Sequence, residues 1–261
     1  MWTDLVELVL PRTCGGCGVP GRGSVCPLCT EALGAATPGP AVPSPVPAGF
    51  PRTTALGPYD GVLRELLLAY KERGRHDLAR PLGSLLGAVV STVVHSGPLV
   101  LVPVPSTARA ARARYGDHLA RLTVYAARTL RRGGWRVAVG RPLQAVPRPD
   151  STALDRAGRA RAAEQAFRAR PAGLRRAGGA WNRAGGARVV LLGDIVTTGA
   201  TLAAVSAVLS AAGLVPYGAA VLAATQLRAA PPPYAAPPVR VLRAGTNPMA
   251  ESAGGCLSNE G

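Results

Sequence analysis

Residues 189–202 read Val-Val-Leu-Leu-Gly-Asp-Ile-Val-Thr-Thr-Gly-Ala-Thr-Leu, and this stretch decides the fold class of the chain. Its first four residues form an apolar run of the length of a buried strand, and Ala200 to Ala212 predict a helix. Asp194 and a turn rich in threonine and glycine lie between them. A strand that leads through such a turn into a helix is typical of a parallel α/β sheet.

The turn is suited to bind a phosphate group. Ligands of open parallel sheets bind beyond the carboxyl ends of the strands. Amides at a helix N-terminus, together with threonine hydroxyls, can surround a phosphate, and Gly199 lets the backbone approach it closely. Asp194 is the only acid between Gln165 and Met249, so its place in an apolar run does not reflect background composition.

Other readings of the turn are weaker. A P-loop needs Gly-x-x-x-x-Gly-Lys and a dinucleotide site needs Gly-x-Gly-x-x-Gly, and neither pattern occurs in this stretch. The remaining alternative is a strand followed by a helix that a threonine caps, with no ligand. The acid and three threonines occur together, which favours a phosphate site.

Strands and helices alternate through the rest of the chain. The predicted strands are Thr53–Tyr59, Leu99–Val104, Arg136–Val139, Arg188–Leu192 and Tyr217–Ala224. The predicted helices are Met1–Leu10, Gly61–Tyr70, Leu78–His95, Ala108–Leu130, Ala157–Phe167 and Ala200–Ala212, with loops at Lys71–Asp77 and Gly193–Gly199. We expect a helix and cysteine module at 1–33, a flexible Pro/Ala/Gly linker at 34–51, an α/β domain at 52–228 and a disordered Pro-rich tail at 229–261.

Four cysteines are spaced as metal ligands. Cys14-x-x-Cys17 and Cys26-x-x-Cys29 are two pairs separated by eight residues. Each pair places two thiolates on one tight turn, and four such sulfurs satisfy tetrahedral zinc. The alternatives are two disulfides or a redox pair, but a redox pair needs a thioredoxin-like strand before it, which the sequence does not predict. We therefore expect a structural zinc ion, and Cys256 receives no role.

The charge of the chain is strongly positive and unevenly distributed. The net charge is +16, and residues 106–190 hold nineteen arginines against four acids, a net of +15. Such a segment attracts polyanions, including pyrophosphorylated sugars and nucleic acid. A solvated, arginine-rich surface explains the same charge, because the three Trp, six Tyr and two Phe of the chain offer little base stacking.

Composition also bears on where the protein acts. No apolar run is long enough to span a membrane. Asp4 and Glu7 lie where a signal peptide has its basic region, so we expect no signal peptide. Cysteines arranged as metal ligands are typical of a reducing compartment, and we expect a cytoplasmic protein.

The phosphate loop resembles the ribose-5-phosphate loop of type I phosphoribosyltransferases, and together with the cysteine pairs it makes the chain similar to the ComF family over about Leu5 to Ala224. The segments Tyr59–Lys71, Pro103–Pro105, Arg112–Leu119 and Ser151–Phe167 also resemble segments of that family. The resemblance implies a type I phosphoribosyltransferase-like parallel sheet flanked by helices, with a small N-terminal zinc-binding module.

The resemblance also implies a site for phosphoribosyl pyrophosphate (PRPP). Thr197 to Thr201 would hold the 5-phosphate, Asp194 would contact the ribose hydroxyls as the catalytic residue, and Mg²⁺ would bridge the pyrophosphate and the ribose. The expected PRPP-binding residues are Asp194, Ile195, Val196, Thr197, Thr198, Gly199, Ala200, Thr201, Lys71, Arg112 and Arg114. The expected zinc ligands are Cys14, Cys17, Cys26 and Cys29.

Cations are expected around the pyrophosphate, and the sequence offers several. Lys71 is the only lysine, and a point charge suits phosphate. Arg109, Arg112 and Arg114 follow a strand end, although a surface role is the better explanation for each single arginine. His118 is a candidate for proton transfer, but we expect it to be a solvent-facing helix residue.

The chain departs from the family pattern at several positions. Gly193 stands where the family usually has a first acid, which removes one ribose contact. Tyr115 stands where it usually has glycine, and Ala162 and Gln165 where it often has asparagine and glycine.

These observations are consistent with three alternative functions. The first is an enzyme of nucleoside or nucleotide metabolism that transfers the phosphoribosyl group to an unnamed acceptor. The second is a non-catalytic accessory protein of competence and DNA uptake, which binds single-stranded DNA or a helicase. The third is a regulator that binds PRPP without chemistry. Gly193 favours the last two, Asp194 with its threonine loop favours the first and third, and the arginine-rich segment favours the second.

Overall fold

The computed structural model describes residues 13–21, 23–107, 112, 116–146, 166–183 and 186–225, and the statements below concern these residues. The predicted helix Met1–Leu10, Cys256 and the predicted tail at 229–261 lie outside the described residues, as does most of the predicted helix Ala157–Phe167.

The described residues form alternating strands and helices. The strands are β1 (Gly39–Pro40), β2 (Thr53–Pro58), β3 (Leu99–Pro103), β4 (Val137–Val139), β5 (Leu143–Ala145), β6 (Phe167–Ala169), β7 (Arg188–Val196) and β8 (Pro216–Ala224). The helices are α1 (Pro27–Gly34), α2 (Gly61–Glu72), α3 (Ala79–Val93), α4 (His118–Arg132), α5 (Pro171–Arg183) and α6 (Ala200–Ala211), with a 3₁₀ turn at His76–Leu78.

A six-stranded sheet carries the fold. Its strand order is β1-β2-β8-β7-β3-β4, and β5 and β6 form a separate two-stranded sheet. Within the large sheet β1 pairs with β2 antiparallel and every other pair is parallel. The predicted α/β fold, a mostly parallel sheet flanked by helices with an N-terminal cysteine cluster, is confirmed.

The central strands are buried on both faces. Successive side chains of a strand point to opposite sides, so each strand contributes to two core clusters. Val190 and Leu192 of β7 belong to one core cluster, which includes the buried residues of α2, α3 and α4. Val189 and Leu191 belong to the second cluster, which includes the buried residues of α6. The continuous apolar run that precedes Asp194 in the sequence therefore reflects a strand between two layers of helices.

Helices α3 and α4 pack closely at two glycines. A Cβ at Gly83 would lie 2.5 Å from the Cβ of Tyr125, and one at Gly87 would lie 3.0 Å from the carbonyl oxygen of Ala126. The missing side chains let α4 approach α3, and this close packing helps to set the position of the α4 N-terminus, where His118 lies.

Two predicted boundaries are wrong in ways that matter for the site. The predicted helix Ala108–Leu130 does not run through Gly116, whose φ is +128°, and α4 begins only after Asp117. The Oδ1 atom of Asp117 accepts the backbone N–H of Ala120 at 3.1 Å and caps the helix. Strand β7 continues to Val196, so Asp194 lies within the strand and not in the predicted loop.

The structure also contains helical and strand residues that the sequence did not predict. Helix α2 extends through Lys71 and Glu72, which were predicted as loop. Helix α5 and the β5–β6 pair were not predicted, and Phe167 is the first residue of β6 and not the end of a helix. Arginine and alanine dominate these segments, so apolar periodicity is weak there.

The segment predicted as a linker packs onto the sheet. Gly39 pairs with Ala55 through β1 and β2. Ala41 is 5 % exposed, and Phe50 packs against the second core cluster. The structure does not test the predicted boundaries between domains, which remain predictions.

Candidate functional site

A cavity of about 250 Å³ opens beyond the carboxyl end of β7. Its walls come from the ends of β3 and β7, the first residues of α4 and α6, and the last turn of α2. The lining residues are Lys71, Val104, Pro105, Ser106, His118, Leu119, Gly193, Asp194, Ile195, Val196, Thr197, Thr198, Gly199, Thr201, Leu202 and Val221. Parallel sheets bind ligands at this edge.

The turn between β7 and α6 presents polar groups to the cavity. Thr197, Thr198 and Thr201 are exposed, whereas Gly199 is buried and has a left-handed backbone with φ +75°. The first helical hydrogen bond of α6 runs from the N–H of Ala203 to the carbonyl of Gly199 at 3.0 Å. The amides that precede Ala203 in the first turn therefore have no partner within the helix and are available to an anion.

Asp194 is the centre of a partly buried polar network. Its Oδ2 atom accepts from Lys71 Nζ at 2.8 Å and from His118 Nε2 at 2.9 Å. Its Oδ1 atom accepts the backbone N–H of Ile195 at 2.7 Å. The side chains of Asp194 and Lys71 are each 19 % exposed. The carboxylate is thus held by donors from α2, α4 and its own strand.

The network keeps Asp194 ionised. Burial by itself raises the pKa of the carboxyl, but the hydrogen bond from His118 and the charge of Lys71 outweigh this effect and hold the pKa well below its usual range. An ionised carboxylate only accepts hydrogen bonds, so Nε2 of His118 is protonated and donates this hydrogen bond. Asp194 and Lys71 together contribute no net charge to the cavity.

The structure corrects the expectation for His118. The residue is 8 % exposed and lines the cavity, so it is not a solvent-facing helix residue. Its Nδ1 atom is buried and has no hydrogen-bond partner among the described residues. The side chain lies at the first position of α4, where Gly116 and Asp117 turn the chain into the helix.

Tyr70 ties α2 to α4 beside this network. Its hydroxyl donates to the backbone carbonyl of His118 at 2.8 Å, and its side chain is almost fully buried. Burial raises the pKa of Tyr70 to about 12, so the hydroxyl remains a donor at neutral pH. Because Lys71 is the next residue of the same helix, this contact also sets where the lysine enters the cavity.

Gly193 faces the opposite side of the strand from Asp194. The residue is buried, and a Cβ at this position would lie 3.0 Å from Cγ1 of Val221 on the neighbouring strand β8. An acid at position 193 would require Val221 to move. The glycine therefore matches the close packing against Val221 of β8.

Most of the expected binding residues meet at the cavity, and some do not. The residues that line it are Lys71, Asp194, Ile195, Val196, Thr197, Thr198, Gly199 and Thr201, whereas Ala200 begins α6 without lining it. Arg112 is exposed and does not line the cavity, and Arg109 and Arg114 lie outside the described residues.

Sequence reasoning missed Ser106 and Leu119 as lining residues. Ser106 follows the end of β3, which pairs with β7, so the rule that strand ends meet at one edge of the sheet could have found it. No sequence signal distinguishes Leu119, because it lies among many leucines of amphipathic helices.

The four cysteines expected to bind zinc form a compact cluster. The sulfur atoms of Cys14, Cys17, Cys26 and Cys29 all lie within 4.8 Å of one another. The Sγ atoms of Cys17 and Cys26 are 3.6 Å apart, far longer than a disulfide bond, and all four residues are free cysteines. Sulfurs bound to tetrahedral zinc at about 2.3 Å are roughly 3.8 Å apart, so the geometry fits that ion.

The acid–base properties of the cluster agree with a cation site. Burial raises the pKa of the Cys14 thiol, but hydrogen bonds from the amides of neighbouring residues outweigh it and lower the pKa to about 6. Burial and the surrounding sulfurs raise the pKa of Cys29. Four adjacent thiolates repel one another, and a divalent cation removes this repulsion. The donor set therefore fits a structural zinc ion.

The cysteine module packs directly on α2. A Cβ at Gly15 would lie 2.8 Å from Cδ1 of Leu78 and 3.2 Å from Cδ2 of Leu66. Arg75 Nη1 donates to the carbonyl of Thr13 at 3.0 Å and forms a two-point ion pair with Asp77. The helix that carries Lys71 into the cavity is thus the same helix that supports the cysteine module.

Comparison with known protein families finds no family that matches the sequence, and comparison with curated proteins finds no matching sequence. In the part of the chain that the structure describes, no helix is both long enough and apolar enough to cross a membrane.

Proposed function

We propose that this chain is a ComF-like protein that binds PRPP or a related phosphosugar at the cavity beyond β7. The observation that carries the proposal is the threonine–glycine turn, whose three exposed threonines line the same cavity as Lys71 and Asp194, beside first-turn amides of α6 that have no partner within the helix. A phosphate group accepts hydrogen bonds from both kinds of donor, and the positive end of α6 favours its charge.

Different residues of the cavity bind different parts of the ligand. Hydroxyls and amides of Thr197 to Thr201 hold the 5-phosphate. Asp194 keeps one acceptor direction on Oδ1 beyond its bond to Ile195, which a ribose hydroxyl can use. Lys71 pairs with the carboxylate and lines the cavity, and it is the cation that a second phosphate group meets.

The charge of the cavity makes a metal ion useful. Lys71 is balanced by Asp194, so the described walls do not neutralise a diphosphate. Mg²⁺ binds through one or two carboxylates together with substrate phosphates, and a single carboxylate is what the described lining offers. The remaining direction on Oδ1 of Asp194 would serve either a ribose hydroxyl or such an ion, and the ion would supply positive charge to the diphosphate.

Gly193 bears on whether the chain transfers the phosphoribosyl group or only binds PRPP. A transferase would displace pyrophosphate from the sugar C1, and the leaving group would be stabilised by cations. The position that usually carries a first acid has no side chain here, and Val221 fills the space beside it. Binding of PRPP is therefore the proposed activity, and transfer to an acceptor is the further step that an acceptor screen would establish.

Calorimetric titration with Mg²⁺–PRPP tests the proposal. The wild type should bind, and a variant with Asp194→Ala and Thr198→Ala should bind at least about tenfold more weakly, because it loses hydrogen bonds to charged groups. Thr198→Ser keeps the hydroxyl and should bind like the wild type. Val46→Ala, an exposed position away from the cavity, is the control for the substitution itself. No binding by the wild type would overturn the proposal.

A second candidate function rests on the net charge of +15 in residues 106–190. In this version the chain is an accessory protein of DNA uptake that binds single-stranded DNA or a helicase. Electrostatic binding of DNA weakens steeply with salt. We expect the affinity for a single-stranded oligonucleotide to fall at least about tenfold between 50 mM and 200 mM salt, and an affinity that does not change with salt would exclude this interface.

A further inference from the structure

Gly199, the turning point of the phosphate loop, is covered from outside the cavity by two side chains. A Cβ at this position would lie 2.7 Å from Cε2 and 2.8 Å from Cδ2 of Phe50, and 2.8 Å from Cγ of Pro43. Phe50 and Pro43 do not line the cavity. They therefore contact the turn from outside the cavity.

The segment that carries these side chains is anchored at both ends. We call residues 39–50 the clasp segment. At one end β1 pairs with β2, and the N–H of Ala41 donates to the carbonyl of Thr53 at 2.9 Å. At the other end the ring of Phe50 packs against the second core cluster. A hydrogen bond within the segment, from the N–H of Phe50 to the carbonyl of Pro47 at 3.1 Å, forms a turn there.

The turn has few contacts of its own to hold its shape. Thr197 and Thr198 are exposed, and the hydroxyl of Thr198 lies 3.5 Å from the amide of Ala200, the limit of a hydrogen bond. A loop that is free before binding must lose conformational entropy when it closes on a ligand. A loop that packing already holds in the binding conformation avoids that loss.

We propose that Phe50 and Pro43 are positioning residues, which hold the left-handed turn at Gly199 so that its amides and threonines face the phosphate. This inference rests on the proposed function for the identity of the ligand. The segment between the cysteine module and the sheet then acts as part of the binding site, although it does not touch the ligand.

Substitution of Phe50 tests the role. Phe50→Ala should weaken binding of Mg²⁺–PRPP about tenfold or more, because a misplaced turn no longer aligns its donors. Phe50→Leu restores an apolar side chain and should bind within about threefold of the wild type. Val46→Ala changes an exposed residue of the same segment and should bind like the wild type. Leu209→Ala removes a fully buried side chain of the same core cluster, and should lower the melting temperature while keeping the affinity.

Hydrogen exchange without ligand provides a second measurement. In Phe50→Ala the amide of Ala203, whose hydrogen bond to the carbonyl of Gly199 joins the turn to α6, should exchange about tenfold faster than in the wild type, and in Leu209→Ala it should exchange less rapidly than that. An affinity loss in Leu209→Ala equal to that in Phe50→Ala would overturn the positioning role, as would unchanged affinity in Phe50→Ala. If the wild type does not bind Mg²⁺–PRPP, the proposed function fails. Exchange then decides alone, and unchanged exchange in Phe50→Ala overturns the inference.

Discussion

At the scale of single residues, Asp194 links the stability of the protein to its site. The carboxylate is largely buried, and three donors from three places in the chain satisfy it. Groups of this kind are stable only as a complete set, since removal of one partner leaves another buried and unpaired. The same arrangement fixes the position of Lys71 before any ligand arrives.

We predict that Asp194→Asn destabilises the protein by roughly 3 kcal/mol at pH 7, the lower end for a broken buried pair, because the pair is 19 % exposed. The pKa of Asp194 is lower in the folded protein, so its contribution is present above the unfolded value of about 3.9 and is lost as the pH falls below it. Denaturant unfolding at several pH values measures the difference between variant and wild type.

This difference should be constant between about pH 5 and pH 7 and should shrink below about pH 4. Asp60→Asn is the control, because Asp60 is exposed and its side chain forms no capping hydrogen bond at the start of α2. Its effect should be within about 0.5 kcal/mol. A difference for Asp194→Asn that stays constant down to pH 3 would show that the carboxylate is not held by the network.

At the scale of structural elements, the passage from β7 to α6 depends on a turn that only glycine fits. Position 199 combines a left-handed backbone with direct contact from the clasp segment. Gly213, just beyond the C-terminus of α6, shares only the first of these features. Its φ is +78°, but nothing beyond its chain neighbours lies within 4 Å of where a Cβ would be, so the two effects can be measured separately.

We predict that Gly213→Ala costs about 1 kcal/mol, the strain of a left-handed backbone alone. Gly199→Ala should cost about 3 kcal/mol, because overpacking against Phe50 and Pro43 adds to the strain. It should also abolish binding of Mg²⁺–PRPP. Denaturant unfolding and calorimetry measure the two effects, and equal destabilisation by both substitutions would show that the contact with the clasp segment contributes nothing.

At the scale of the whole molecule, the cysteine module and the candidate site share α2. Leu66 of this helix packs against the module, and Lys71 in its last turn reaches Asp194. The cysteine cluster and the cavity therefore both make contacts with the same helix.

We predict one zinc ion for each chain, and removal of the ion by a chelator should destabilise the protein. A loss of roughly 3 kcal/mol would lower the melting temperature by about 10 °C in a chain of this size. Elemental analysis and calorimetric melting provide the measurements. Cys17→Ser should reduce the zinc content, whereas Cys256→Ser should leave it unchanged. A wild type that melts at the same temperature with and without chelator would contradict a structural metal.

The predictions that succeeded depend on local pattern. The apolar run before Asp194 predicts a buried strand, and the close spacing of the four cysteines predicts a sulfur cluster, because residues near in sequence cannot separate in space. The boundaries that failed depend on single residues. Gly116 and Asp117 stop a helix that composition alone would continue, and pairing with β8 extends β7 past the predicted end of the strand.

The sequence by itself determined the α/β class, the sulfur cluster and the threonine turn, since each follows from periodicity or spacing over a few residues. Only the tertiary structure decided that Lys71 and His118 meet at Asp194, with His118 and Asp194 separated by 76 positions, and that Phe50 covers Gly199. These contacts arise from the packing of helices on a sheet. Packing depends on the shapes of surfaces that are distant in the chain, so a single sequence does not reveal them.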